Sequence, residues 1–139
     1  DFEEICNQLR LYQAELRTCF TLENFDNLIK NGRMRPIVGT LLRSLGIHII
    51  ADATAEGTIH VADKARGVGK TYRAITALMG TSKDCTDAEV VISHCENLEG
   101  AMALKRQILA DLPVKQVDLL SCRGLTSFYA MEKGLIVGY

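Results

Sequence analysis

The side chains best suited to chemistry crowd one short stretch. Lys64, Arg66, Lys70 and Arg73 fall close together, and Gly69-Lys70-Thr71 stands between a predicted strand and a predicted helix, where phosphate-binding loops sit. A loop that wraps a phosphate in backbone N–H groups also needs a glycine five positions before Gly69, and that position is Lys64. No later strand ends in an Asp that could hold magnesium; the apolar run Ala88–His94 ends in His and Cys. The pattern therefore argues against nucleotide hydrolysis. What remains is a group of cations at a helix start, where unpaired N–H groups and the helix dipole favour anions. Two readings stay open for it, an anion or acidic-partner site and a solvated basic face.

Arg33 follows Gly32 at a predicted helix stop, with Arg35 and Pro36 next. A guanidinium on a tight turn can clamp a carboxylate or phosphate with two parallel bonds. The plainer alternative is a cation that complements a helix C-terminus. His94 and Cys95 adjoin at a strand end, but successive strand residues point to opposite faces, so a hydrogen-bonded core histidine is expected and no metal site. His48 and His60 fall in one hairpin without a third ligand. Cys122 precedes Arg123, whose charge would lower a thiol pKa, yet no histidine lies near in sequence, and a buried free cysteine is the expectation. The hydroxyls of Thr126 and Ser127, beside Gly124, suit either carboxylate ligands or turn and cap residues.

These groups have to be positioned by the elements around them. Phe2, Ile5, Cys6, Leu9, Tyr12 and Leu16 recur at helical spacing. A short strand over 18–21 follows, and Thr21 is expected to cap a helix that runs to Lys30 and stops at Asn31-Gly32. A third helix is expected over Pro36–Leu45, with Ile37, Val38, Leu41, Leu42 and Leu45 as one apolar stripe that faces either the core or a tunnel. Next come a hairpin with strands at 47–50 and 58–61, a helix over 68–79, and a buried strand over 88–94. A helix closed by Pro113, a strand over 114–120, a loop or single helical turn over 124–130 and a strand over 134–137 complete the chain. Hairpin strands mixed with crossover helices predict an α+β fold, a mixed and largely antiparallel sheet covered by helices.

At 139 residues the chain reads as a single domain able to bury a core without staples. A net charge of −1 and the absence of Trp leave neither a general pull toward nucleic acid nor a stacking platform for it. Five cysteines without a C-x-x-C pair suit reduced thiols in a cytoplasm. No run is long and apolar enough to span a membrane. The opening DFEEICNQLR, without Met, gives the expectation of a piece cut from a longer protein.

Several segments together resemble the second half of the DegV family. Phe25-Asp26-Asn27-Leu28-Ile29-Lys30-Asn31-Gly32-Arg33-Met34 resembles that family's helix ending in a Gly-Arg-aliphatic turn. Ile37-Val38-Gly39-Thr40-Leu41-Leu42 with Leu45-Gly46-Ile47 resembles the helix and strand that follow it. Lys64-Ala65-Arg66-Gly67 resembles the basic segment after the hairpin, and Val90-Val91-Ile92-Ser93-His94 the strand before a long helix. The resemblance covers about residues 16–139, and the order of the segments carries it more than any one motif.

The resemblance implies a fatty-acid-binding half-domain, 1–139, whose N-terminal lipid-gripping partner domain is absent. A long-chain fatty acid would lie between the two domains, its carboxylate held mainly by hydroxyls of the missing one, for delivery to an acyl kinase. In this chain Arg33, Arg66, Gly124, Thr126 and Ser127 would meet the head group or the partner, and Ile37, Val38, Leu41, Leu42 and Leu45 would line the acyl chain. Neither a cofactor nor catalysis is implied. Where the family often has His-Thr-Gly-Pro-Gly, this chain has Cys122-Arg123-Gly124-Leu125-Thr126, keeping only Gly124, so a different head group or partner stays open. The rival function is an anion-binding or protein-interaction module without lipid.

Overall fold

A computed structural model gives the fold and describes residues 1–35 and 46–139. Among these the chain runs α1 (Phe2–Glu15), β1 (Thr18–Thr21), α2 (Asp26–Lys30), β2 (Ile47–Ala53), β3 (Ile59–Arg66), α3 (Val68–Ser82), β4 (Glu89–His94), α4 (Leu98–Asp111), β5 (Gln116–Ser121), α5 (Gly124–Ala130) and β6 (Leu135–Gly138). The predicted helix Pro36–Leu45, with its apolar stripe, lies outside the described residues.

The strands form one sheet in the order β3-β2-β1-β6-β4-β5. Every neighbouring pair is antiparallel except β4–β5, which α4 connects as a crossover. This is the mixed, largely antiparallel α+β sheet that the sequence predicts.

Strand alternation divides the core into two layers. On one face Cys19, Ile50, Val90, Ile92, Leu135 and Val137 pack under α3 and α4. Tyr72, Ile75, Thr76 and Met79 form the buried stripe of α3, and Ala101, Leu104 and Ile108 that of α4. The opposite face carries Ile49 and Ala51 beneath Leu22, Phe25, Leu28 and Ala130, with Phe20, Ile59 and Ile136 only partly covered. Two short helices, α2 and α5, roof that second face.

Four local expectations are corrected. Thr21 belongs to β1, opposite Leu135, and caps no helix. α2 instead begins at Asp26, after Asn24 Oδ1 accepts the Asp26 N–H at 2.9 Å. The hairpin strands are longer than their apolar runs, because polar Asp52, Asp63 and Lys64 continue the ladder at the sheet edge, with a register shift between Ile50 and Ala51. Residues 124–130 form a full helix, α5. Finally, α1 is a helix as predicted, yet buries none of its residues; Phe2 is 78% exposed and Tyr12 63%.

Candidate functional site

An apolar groove lies on the second face of the sheet. Its floor is Phe20 of β1 and Ile136 of β6, which stand directly opposite one another across the ladder and so project to the same side. Ile59 of β3 extends the floor. Leu22 and Leu28 form one wall, and Leu125, Tyr129 and Ala130 of α5 the other. The hollow holds about 290 Å3, and Arg33 is the one charged residue of its lining among the described residues.

Local backbone chemistry sets this geometry. At the end of α2 the Gly32 N–H donates to the Ile29 carbonyl at 3.0 Å and the Arg33 N–H to the Leu28 carbonyl at 2.8 Å. That paired pattern closes a helix through a left-handed residue, here Gly32 at φ +68°. It turns the chain sharply and leaves Arg33 on the groove. Gly124, at φ +52°, is the left-handed residue at the entry from β5 into α5. The two walls are joined by Asn27 Nδ2, which donates to the Phe128 carbonyl at 2.6 Å. Phe128 and Tyr129 stack edge to face, with ring centroids 5.1 Å apart.

Past Arg33 a second hollow of about 600 Å3 is lined by Ile29, Met34, Arg35, Thr58, Ile59 and Val61 along with Gly32 and Arg33. Arg33 and Ile59 therefore belong to both. An apolar trough with a guanidinium in its lining suits a hydrocarbon chain that ends in an anionic group. Burial of such a chain contributes about 0.8 kcal/mol per methylene, and the guanidinium fork matches a carboxylate or phosphate.

The residues singled out in the sequence fall at different places. Arg33 lines the groove. Arg66 is exposed and pairs with Ile47, and Lys64 with Ile49, so by register both basic residues project to the groove face. Arg66, however, closes β3 at the end opposite to Ile59, roughly 20 Å away at the usual rise of an extended strand. The two arginines are not brought into one pocket. Gly124, Thr126 and Ser127 lie on α5, Thr126 exposed and Ser127 half-buried, while their neighbour Leu125 enters the groove. Ile37, Val38, Leu41, Leu42 and Leu45 lie outside the described residues.

Sequence reasoning missed the groove's own lining. One signal for it exists: Ile136 is apolar on a strand whose alternate positions, Leu135 and Val137, are also apolar, the mark of a strand covered on both faces.

The other chemical candidates resolve into structural roles. Gly69-Lys70-Thr71 lies within the first turns of α3, right behind a strand that runs on to Arg66, and so forms no wrapping loop; Thr71 Oγ1 donates to the Gly67 carbonyl at 3.1 Å. His94 is 8% exposed, and its Nδ1 accepts the Asn97 N–H at 3.3 Å. His48 pairs with Ala65 and His60 with Asp52, so register keeps the two histidines apart. Burial, and secondarily the nearby Cys95, pushes the Cys122 thiol above its usual pKa, which overrides any activation by Arg123. Among the described residues no three His, Cys, Asp or Glu side chains converge as metal ligands, and no helix is long and apolar enough to cross a membrane.

Residues 1–135 match the model of the DegV family, which groups uncharacterised proteins. A DegV domain-containing protein of Streptococcus pneumoniae is 32% identical over 138 residues, covering 99% of this chain and 49% of the relative. One from Streptococcus pyogenes is 34% identical over 140 residues with the same coverage. The chain thus spans about half the length of the curated relatives it matches. Among solved structures, the Streptococcus pneumoniae fatty acid kinase (Fak) B3 protein, loaded with linoleic acid, superposes with a TM-score of 0.91 at 32% identity, over 100% of this chain and 49% of that one. A DegV family protein of Ruminococcus gnavus refined with vaccenic acid gives 0.89 at 31%, over 100% and 50%. One from Eubacterium eligens loaded with heptadecanoic acid gives 0.90 at 29%, over 99% and 50%.

Proposed function

The chain belongs to the DegV family, and on that footing we propose that it is the C-terminal half of a two-domain fatty-acid-binding protein. The observation that carries this reading is the apolar groove between α2, α5 and the sheet, whose single charged lining residue among the described residues is Arg33. Support comes from three similar structures, each described with a bound fatty acid. In this reading Phe20, Leu28, Ile59, Leu125 and Ile136 line the acyl chain, and the predicted stripe Ile37–Leu45 adds to them. Arg33 meets the anionic end or the partner domain. The other half, with its hydroxyls, completes the grip on the carboxylate.

The same reading gives the chain no reaction of its own. It binds and presents, and chemistry on the acyl group belongs to a partner. An acyl kinase is the natural class, since the similar pneumococcal protein is a fatty acid kinase B protein. Five free cysteines support a reducing, cytoplasmic setting.

Native mass spectrometry of the full-length protein as purified tests the proposal. A mass increment equal to a fatty acid, exchanged when a different chain length is added, is the expected result. A bare mass that persists after incubation with fatty acids would overturn it in favour of an interaction module without lipid.

A further inference from the structure

On the other face of the sheet a small pocket of about 30 Å3 opens beneath the start of α3. We propose that it seats a small oxyanion, the end of a carboxylate or phosphate group. A single water needs about 10–15 Å3 of such space, so the pocket takes a group of two or three heavy atoms and leaves the rest of the molecule outside.

Thr21 provides the first observation. It is 6% exposed, and its hydroxyl oxygen has no hydrogen-bond partner among the described residues. Buried hydroxyls are nearly always paired, and an orphan calls for a partner. Its direction is fixed by register: Thr21 shares a face with Cys19 and stands opposite Leu135, on the α3–α4 side, where it lines the pocket.

The second observation is the start of α3 itself. This helix of 15 residues begins after Gly67, held at φ +85°, with no side-chain cap and no acid in its first turn. The N–H groups of its first residues have no partner within the helix, and Val68, Thr71 and Tyr72 line the pocket. The neighbouring α4 differs: Asn97 caps it by accepting the Gly100 N–H at 3.1 Å, and Glu99 sits in its first turn. Like α3, α5 begins with neither a side-chain cap nor an acid in its first turn, but none of its residues lines the pocket.

Charge completes the picture. Lys133 and His48 line the pocket, and Lys70 lies in the first turn of α3. Lys133 is held by its backbone, whose N–H donates to the Cys95 carbonyl and whose carbonyl accepts from Asn97 Nδ2. Among the described residues two carboxylates oppose an anion, the exposed Glu23 of the lining and Glu99, whose charge reaches Tyr72 as that of Glu23 does. Gly69-Lys70-Thr71 thereby gains a role that its missing glycine partner denied it: the anion meets an open helix start instead of a wrapping loop. The pocket opens on the α3–α4 side of the sheet and the groove on the other, with Leu22, just past β1, lining both.

The test is a calorimetric titration of the full-length protein at constant ionic strength, with inorganic phosphate in one arm and acetate in the other. Saturable binding of either is expected, and whichever binds names the source. Thr21→Val, nearly isosteric, should weaken that binding at least tenfold, Thr21→Ser should retain it, and Glu23→Gln should tighten it severalfold. The proposal is overturned if neither anion binds. It is equally overturned if Thr21→Val binds as the natural protein does, meaning an adventitious ion only, or if Glu23→Gln leaves the affinity unchanged. None of these outcomes touches the fatty-acid reading, whose groove faces the other way.

Discussion

Asn27 and Phe128, far apart in sequence, are joined by a 2.6 Å hydrogen bond from the Asn27 amide to the Phe128 carbonyl. This contact fastens α2 to α5, the two short helices that wall the groove. A hydrogen bond of this kind contributes about 1 kcal/mol net. Asn27→Ala is therefore expected to lower unfolding stability by about that amount. It should weaken fatty-acid binding more than stability alone explains, because the walls lose their spacing. Urea denaturation alongside displacement of a fluorescent fatty acid checks both halves.

Arg33 and Arg66 carry the same charge but stand at opposite ends of β3. Charge reversal at Arg33 should cut fatty-acid affinity roughly tenfold, since a charge-assisted hydrogen bond contributes about 1.5–3 kcal/mol. The same reversal at Arg66 should leave affinity within about twofold. Both side chains are exposed, so neither change should shift the melting temperature much. Equal losses at the two positions would mean that the head group reaches along the strand.

Cys19 and Tyr139 share the core layer under α3, and both titrate near pH 12. Burial is the main cause for each. The charge of Asp52 adds to it at Cys19, and the Ser82 hydroxyl at 2.7 Å partly offsets it at Tyr139. Both groups are neutral when protonated, so the folded state holds its protons more tightly than the unfolded chain. The stability tied to them is fully present below their usual pKa values near 9 and 10, and is lost as pH rises toward about 12. Melting temperature followed from pH 8 to 12 should fall steeply above pH 9. Tyr139→Phe should make that fall shallower, at the cost of the Ser82 bond.

The elements that could be read from sequence are those whose burial follows one helix face or one strand. The Tyr72–Met79 and Ala101–Ile108 stripes and the Val90–Ile92 strand are of this kind. α5 was not legible, because Gly124, Thr126, Ser127, Phe128 and Tyr129 have weak helix propensity, and tertiary packing on the sheet decides their conformation. Thr21 has the composition of a helix cap, but pairing with β6 claims its backbone first. At the site, Arg33 could be picked out because Gly32 marks a turn in any sequence. The groove could not, since its lining comes from separate segments that only the sheet order brings together.

That sheet order also governs when the domain can fold. β1 and β6, near opposite ends of the chain, lie side by side in the middle of the sheet and supply the groove floor through Phe20 and Ile136. The hydrogen-bonded ladder joins the strands on its two sides only through this seam, while α3 and α4 pack across it. During synthesis the β2–β3 hairpin and the β4–α4–β5 unit can each form early from local contacts, but the sheet stays in two pieces until β6 leaves the ribosome. Closure of so long a loop is slow. The capacity to hold an apolar ligand thus arrives last, in the same step that makes the domain whole.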